Sequence, residues 1–141
     1  MEKTATFMNT LNILILEDDI EVVSLLFKIL SELEQDIYPM YNFLVSSFST
    51  YKQVEEIVNL QPMGAYDIIL LDRDCLLGGS FHVLDIEKFG ADKVISISSV
   101  KQWNKEAQKR GVNSIVLKDF GNLDKFASTL KAEIKRKVVS N

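Results

Sequence analysis

A chain of 141 residues with 47% hydrophobic and 26% charged residues is sized and composed for one packed domain, which excludes a disordered tail. Its formal net charge of −4 argues against a general nucleic-acid surface, so no direct nucleic-acid partner is expected. The single cysteine, Cys75, cannot close an intramolecular disulfide, no apolar run approaches the roughly 20 residues of a membrane span, and the first residues lack a signal peptide's apolar core. A cytoplasmic location with no membrane partner is therefore expected.

Read in chain order, residues 12–16 (NILIL) form an apolar run that ends in Glu17-Asp18-Asp19, the pattern of a buried strand. Apolar residues then recur at helical spacing over 20–33, at Ile20, Val23, Phe27 and Leu30, until Ile37-Tyr38-Pro39 breaks the helix. The segment 37–43 reads as a long link to a second strand at 43–47. Thr50 with Gln53 resembles a capping box and opens a short helix to about residue 59. A third strand at 67–71 (DIILL) runs into Asp72-Arg73-Asp74, followed by a Gly-containing loop and a helix over 81–89 closed by Gly90. Strand four is Val94–Ser98 (VISIS); Ser99 with Gln102 suggests another capping box, and that helix stops at Gly111. Strand five is Ser114–Leu117, followed by Lys118. A last helix from Leu123 places Phe126, Leu130, Ile134 and Val138 on one face.

Five alternating βα units imply an α/β fold: a doubly wound parallel sheet of five strands with five helices on its two faces. Strands one and three are the most apolar and belong at the centre; strands two and five are more polar and belong at the edges. That is the flavodoxin-like order 2-1-3-4-5. Residues 1–10 read as an N-terminal extension and 11–139 as the domain.

In such sheets ligands bind beyond the carboxyl ends of the strands. Glu17 and Asp18, Asp72, Ser98 and Lys118 all stand at those ends, on four different strands. Two carboxylates about 4 Å apart repel by roughly 4 kcal/mol at an effective dielectric near 20, so such a group raises its pKa values or recruits a cation. Hard oxygen ligands favour Mg²⁺, Mn²⁺ or Ca²⁺ over Zn²⁺. A carboxylate beside such an ion and a lysine can act as a nucleophile toward phosphorus.

These segments resemble the receiver domain of two-component response regulators, the CheY-like superfamily. ILILEDD is similar to that family's first-strand acidic pair, YDIILLDRD to the phosphoacceptor strand, VISISS to the strand with the switch hydroxyl, and GVNSIVLKD to the lysine segment. The resemblance runs from about Leu11 to Val138. It implies that Glu17 and Asp18 sit at a Mg²⁺ ion, that Asp72 is both phosphoacceptor and metal ligand, and that Asp74 gives the metal its backbone carbonyl. It implies further that Ser98 contacts the phosphoryl group and that Lys118 pairs with it. The implied partners are a histidine kinase or phosphotransfer protein and a downstream protein target, with a homodimer as one form. The implied activity is autophosphorylation and autodephosphorylation, with no separate small-molecule product.

Besides the link at 37–43, which is longer than usual in that family, the sequence departs from that pattern in three places. CLLGGS replaces the family's Pro-Gly segment, Ile115 replaces the switch aromatic, and Asp119 replaces the proline after Lys118. A cis bond before a non-proline residue costs about 3–4 kcal/mol, so Lys118-Asp119 is expected to be trans. These departures leave a second reading, a pseudo-receiver that binds proteins without phosphorylation. The Asp-x-Asp of Asp72 and Asp74 leaves a third, a haloacid-dehalogenase-like phosphatase, although that motif normally lies on the first strand of its core. Among other residues, His82 reads as a surface or helix-end residue, Cys75 as a small apolar one, and Trp103 as packing or contact surface. Lys131, Lys135, Arg136 and Lys137 read as a solvated face, and Arg73 as equally suited to the site mouth or elsewhere.

Overall fold

A computed structural model describes residues 8–74 and 80–140. Cys75, the loop at 75–79 and most of the 1–10 extension lie outside the described residues. The strands are β1 (Asn9–Leu16), β2 (Tyr41–Phe48), β3 (Ile68–Asp72), β4 (Val94–Ser98) and β5 (Ser114–Leu117), all parallel in the order β2-β1-β3-β4-β5. The helices are α1 (Ile20–Ile37), α2 (Tyr51–Glu56), α3 (Ile86–Phe89), α4 (Lys101–Lys109) and α5 (Leu123–Ser140). The fold class and strand order are those expected.

Side chains alternate across a strand, so each inner strand feeds two cores. Ile13 and Ile15 of β1, Ile68 and Leu70 of β3, and Val116 of β5 pack on one face against α1 and α5. Leu14, Leu16, Ile69 and Leu71 pack on the other face, with Val54 of α2, Phe89 of α3 and Ala107 of α4. On α5 the expected face is the buried one, with Phe126, Leu130, Ile134 and Val138 at 0–1% exposure.

Several local expectations change. Helix α1 runs to Ile37, so the link to β2 is short, and β2 itself starts at Tyr41. Its buried residues are Val22, Leu26, Ile29, Leu30 and Leu33, whereas Ile20 and Phe27 are 84% and 42% exposed. The apolar pattern of this helix is wider than the stripe it buries. Asp19 caps it, accepting from the amides of Glu21 and Val22.

The capping box at Thr50 forms, and α2 is followed by a 3₁₀ turn at Val58–Leu60. The expected helix at 81–89 is instead a 3₁₀ turn, Ser80–Val83, and the four-residue α3. Asn59 holds the two apart by donating to the Val83 carbonyl and accepting from the Asp85 amide, while Asp85 caps α3. The expected Ser99–Gln102 box does not form: α4 starts after Val100, and the Ser99 amide is taken by Asp74. Lys137 is buried, and its ammonium donates to the Asp92 carbonyl, so this residue is not part of a solvated face.

Candidate functional site

Period-two alternation sets what each strand delivers at its carboxyl end. Glu17 continues the row of Ile13 and Ile15, Asp72 that of Ile68 and Leu70, and Lys118 that of Val116. All three therefore emerge on the α1/α5 side, and they meet there. The Lys118 ammonium donates to Asp72 Oδ1 at 2.9 Å and to Glu17 Oε1 at 3.1 Å, across 46 and 101 residues of sequence. It also lies 3.3 Å from Asp74 Oδ2. Lys118, Glu17 and Asp72 are all buried. The Phe120 ring lies 5.7 Å from the ammonium.

One ammonium thus faces three carboxylates. Burial raises the Glu17 carboxyl, the Asp72 charge raises it further, and Lys118 only partly offsets them, so its pKa reaches about 8. Asp72 is also raised, chiefly by burial, against the opposing pull of Lys118. Burial would lower Lys118, but the surrounding carboxylates win and hold it well above the usual lysine range. These directions describe a cluster short of positive charge.

A cation fits that shortage. Glu17, Asp18 and Asp72 each bring a carboxylate oxygen within 4.8 Å of the others, with Asp18 exposed and the other two buried. Asp72 Oδ2 is buried and has no hydrogen-bond partner when Glu17 is ionised; a proton held on Glu17 gives Asp72 one. An all-carboxylate donor set with one orphaned oxygen suits a hard divalent ion. The Asp19 amide holds Glu17 Oε2 at 3.0 Å and the Asp74 amide holds Asp72 Oδ1 at 2.9 Å, so main chain fixes two of the three carboxylates.

Ser98 and Asp74 are placed differently from the other three. Ser98 belongs to the alternate row, with Ser96, facing α4. Its hydroxyl donates to Asp74 Oδ1 at 2.6 Å and accepts from the Val100 amide at 2.9 Å. Asp74 also accepts the Ser99 amide on both oxygens at 2.9 Å. Burial opposes ionisation of Asp74, but the Ser98 and Ser99 hydrogen bonds and the Lys118 charge prevail and lower its pKa. The receiver resemblance implies a role for Asp74 only through its main-chain carbonyl, whereas its side chain here takes hydrogen bonds from Ser98 and Ser99.

Arg73 does not reach the site mouth. It points to the opposite face and pairs with Glu106 of α4 at 2.8 Å. Nearby, Ser96 donates to Asn104 at 2.6 Å, and Asn104 donates to the Val116 carbonyl, tying α4 to β4 and β5. Ile115 is half-buried on β5. The only cis peptide among the described residues is Tyr38-Pro39, so Lys118-Asp119 is trans, as expected. A cavity of about 300 Å³ opens over the cluster, lined by Glu17, Asp18, Asp19, Asp74, Ser99, Lys118 and Phe120. Asp72 lies beneath that lining, with its side chain 0% exposed.

Solved structures with the same architecture include a response regulator receiver domain from Rhodospirillum rubrum, at a TM-score of 0.62 and 14% identity, covering 88% of this chain and 93% of that one. This chain has the receiver-domain fold. The bacteriophytochrome response regulator RtBRR matches at a TM-score of 0.60 and 19% identity, over 88% of this chain and 77% of its own. The bacteriophytochrome response regulator AtBRR matches at 0.54 and 20%, over 86% and 93%. No protein-family description and no curated protein sequence matches the chain. Among the described residues of this receiver fold, no helix is long and apolar enough to cross a membrane.

Proposed function

We propose that the chain is a phosphoacceptor domain of two-component signalling that takes a phosphoryl group onto Asp72 with Mg²⁺ held by Glu17, Asp18 and Asp72. The observation that carries this reading is that Glu17, Asp18 and Asp72 bring carboxylate oxygens within 4.8 Å of one another, one oxygen of Asp72 lacking a partner, while Glu17 and Asp72 also share the buried Lys118 ammonium. In the transfer, a carboxylate oxygen of Asp72 attacks phosphorus. The bond from phosphorus to the donor's leaving atom breaks, and the leaving group keeps the electron pair. Lys118, already 2.9 Å from Asp72, pairs with the equatorial oxygens as charge spreads onto them. When bound, the divalent ion supplies the positive charge that lets a cluster of anions receive another anion. Asp74 would present its main-chain carbonyl to the same ion.

Partners follow from the chemistry: a phosphohistidine-bearing kinase or phosphotransfer protein as donor, and a protein target that reads the modified surface. We place the domain at residues 11–139, with Asn9 and Thr10 of the 1–10 segment already paired in β1 and the last helix running to Ser140, and we place it in the cytoplasm. Asp74 held ionised disfavours the phosphatase reading, which needs that carboxyl to donate a proton.

Intact-mass analysis after incubation with acetyl phosphate and Mg²⁺ tests the proposal. One phosphoryl mass on the wild type and none on Asp72→Asn is the expected result. Labelling of both rejects Asp72 as the sole acceptor, and labelling of neither favours the pseudo-receiver.

A further inference from the structure

The Asp74 carboxylate stands outside the three-oxygen cluster and yet is the most heavily hydrogen-bonded acid at the strand ends. A hydroxyl (Ser98, 2.6 Å), a main-chain amide (Ser99, 2.9 Å) and an ammonium (Lys118, 3.3 Å) converge on it. Those three donors, disposed around one small anion, make an oxyanion-binding arrangement. A hydroxyl has one proton to give, and here the shortest hydrogen bond of Ser98 gives it to Asp74. The site for an incoming anion is therefore already filled, by an anion from the chain itself.

The position of Asp74 sharpens the point. Lys118 bridges it directly to Asp72, and the Asp74 carboxylate lines the cavity beneath which Asp72 is sealed. The Asp74 side chain is 17% exposed, so it can turn to water, whereas Asp72 at 0% cannot. We infer that Asp74 is a built-in competitor for the phosphoryl group. It occupies Ser98, Ser99 and Lys118 in the resting protein and must leave them before a phosphoryl group on Asp72 can use them. This inference rests on the reading of Asp72 as acceptor. It makes Asp74 a positioning residue that sets how readily the site is charged.

The probe is beryllofluoride with saturating Mg²⁺, its binding followed by ¹⁹F NMR in wild type, Asp74→Ala, Ser98→Ala and the double variant. Alanine keeps the main-chain carbonyl of residue 74. Binding to Asp74→Ala should tighten at least roughly tenfold, the worth of one charge-assisted hydrogen bond no longer contested. Ser98→Ala should weaken binding more in the Asp74→Ala background than in wild type, because only there is the hydroxyl free. Simple relief of charge repulsion would also tighten binding, but with additive effects, and additivity would overturn the inference. Asp74→Asn gives an independent check should the alanine variant not fold. It retains an acceptor for Ser98 and Ser99 but loses the ionic hold on Lys118, and should bind more tightly than wild type; equal binding would reject the competitor role. Uptake by wild type without any gain in the variants overturns this inference alone. Absence of uptake in all the proteins overturns the phosphoacceptor reading with it.

Discussion

At the scale of single residues, the consequential group is Glu17, whose carboxyl is buried against Asp72 and lifted from an ordinary value of 4.5 to about 8. Between those two values the folded chain keeps a proton that the unfolded chain releases. Folded protein then binds more protons than unfolded protein, so rising pH lowers stability across that window, and the loss is complete above about 8. Urea unfolding of the ion-free protein should show its midpoint falling from pH 5 to pH 8, and a flat or rising profile would contradict the assignment. A divalent ion must displace the same proton. Its affinity should rise as pH approaches about 8, with up to one proton released per ion, measurable by calorimetry in buffers of different ionisation enthalpy. The acids and Lys118 were legible in the sequence because they end apolar runs in the order a wound sheet requires. Ser98 was legible as a strand-end hydroxyl, but its bond to Asp74 was not, since that depends on two loops meeting. Arg73 was decidable in principle: it follows Asp72 directly, so alternation sends it to the opposite face, where Glu106 receives it.

The elements were legible to the extent that local chemistry fixes them. Thr50 and Gln53 form the reciprocal cap that their spacing implies, and Thr50→Ala should cost about 1 kcal/mol by thermal melting, with the signal of α2 most affected in amide exchange. The segment over 81–89 was misread as one helix because its break comes from Asn59, some 25 residues earlier, and no local pattern carries that information. Likewise the Ser99–Gln102 pairing has the right spacing but loses to a distant acid, because Asp74 takes the Ser99 amide and the helix starts later. Gly90 ends α3 at a φ of 102°, and a Cβ there would lie 2.8 Å from Asp92 Oδ1. Gly90→Ala should therefore destabilise by roughly 1–3 kcal/mol, a backbone penalty joined by a steric one. A melting temperature unchanged from wild type would show that the turn relaxes freely.

For the molecule as a whole, two apolar cores hold an electrostatically unfavourable strand end in place. The packing of Ile13, Ile15, Ile68, Leu70 and Val116 beneath α1 and α5 brings Glu17, Asp72 and Lys118 together whether or not their charges balance. The site should then be a net cost to the ion-free fold, offset when an ion binds. Asp72→Asn tests this, because it removes one of the three carboxylates around Lys118 while leaving the volume nearly unchanged. Without divalent ions the variant should be more stable than wild type by roughly 1–2 kcal/mol, a rise of about 3–8 °C in Tm. The gap should widen from pH 6 to pH 9: at low pH the proton on Glu17 already relieves the repulsion, and above about 8 it is gone. Adding Mg²⁺ should raise the wild-type Tm by mass action and narrow the gap, while the variant, with one ligand weakened, responds less. An equal response to Mg²⁺ in both proteins, or a variant less stable at pH 9, would mean that the carboxylates are not held against their own repulsion, and the case for a cation among them would lose its physical basis.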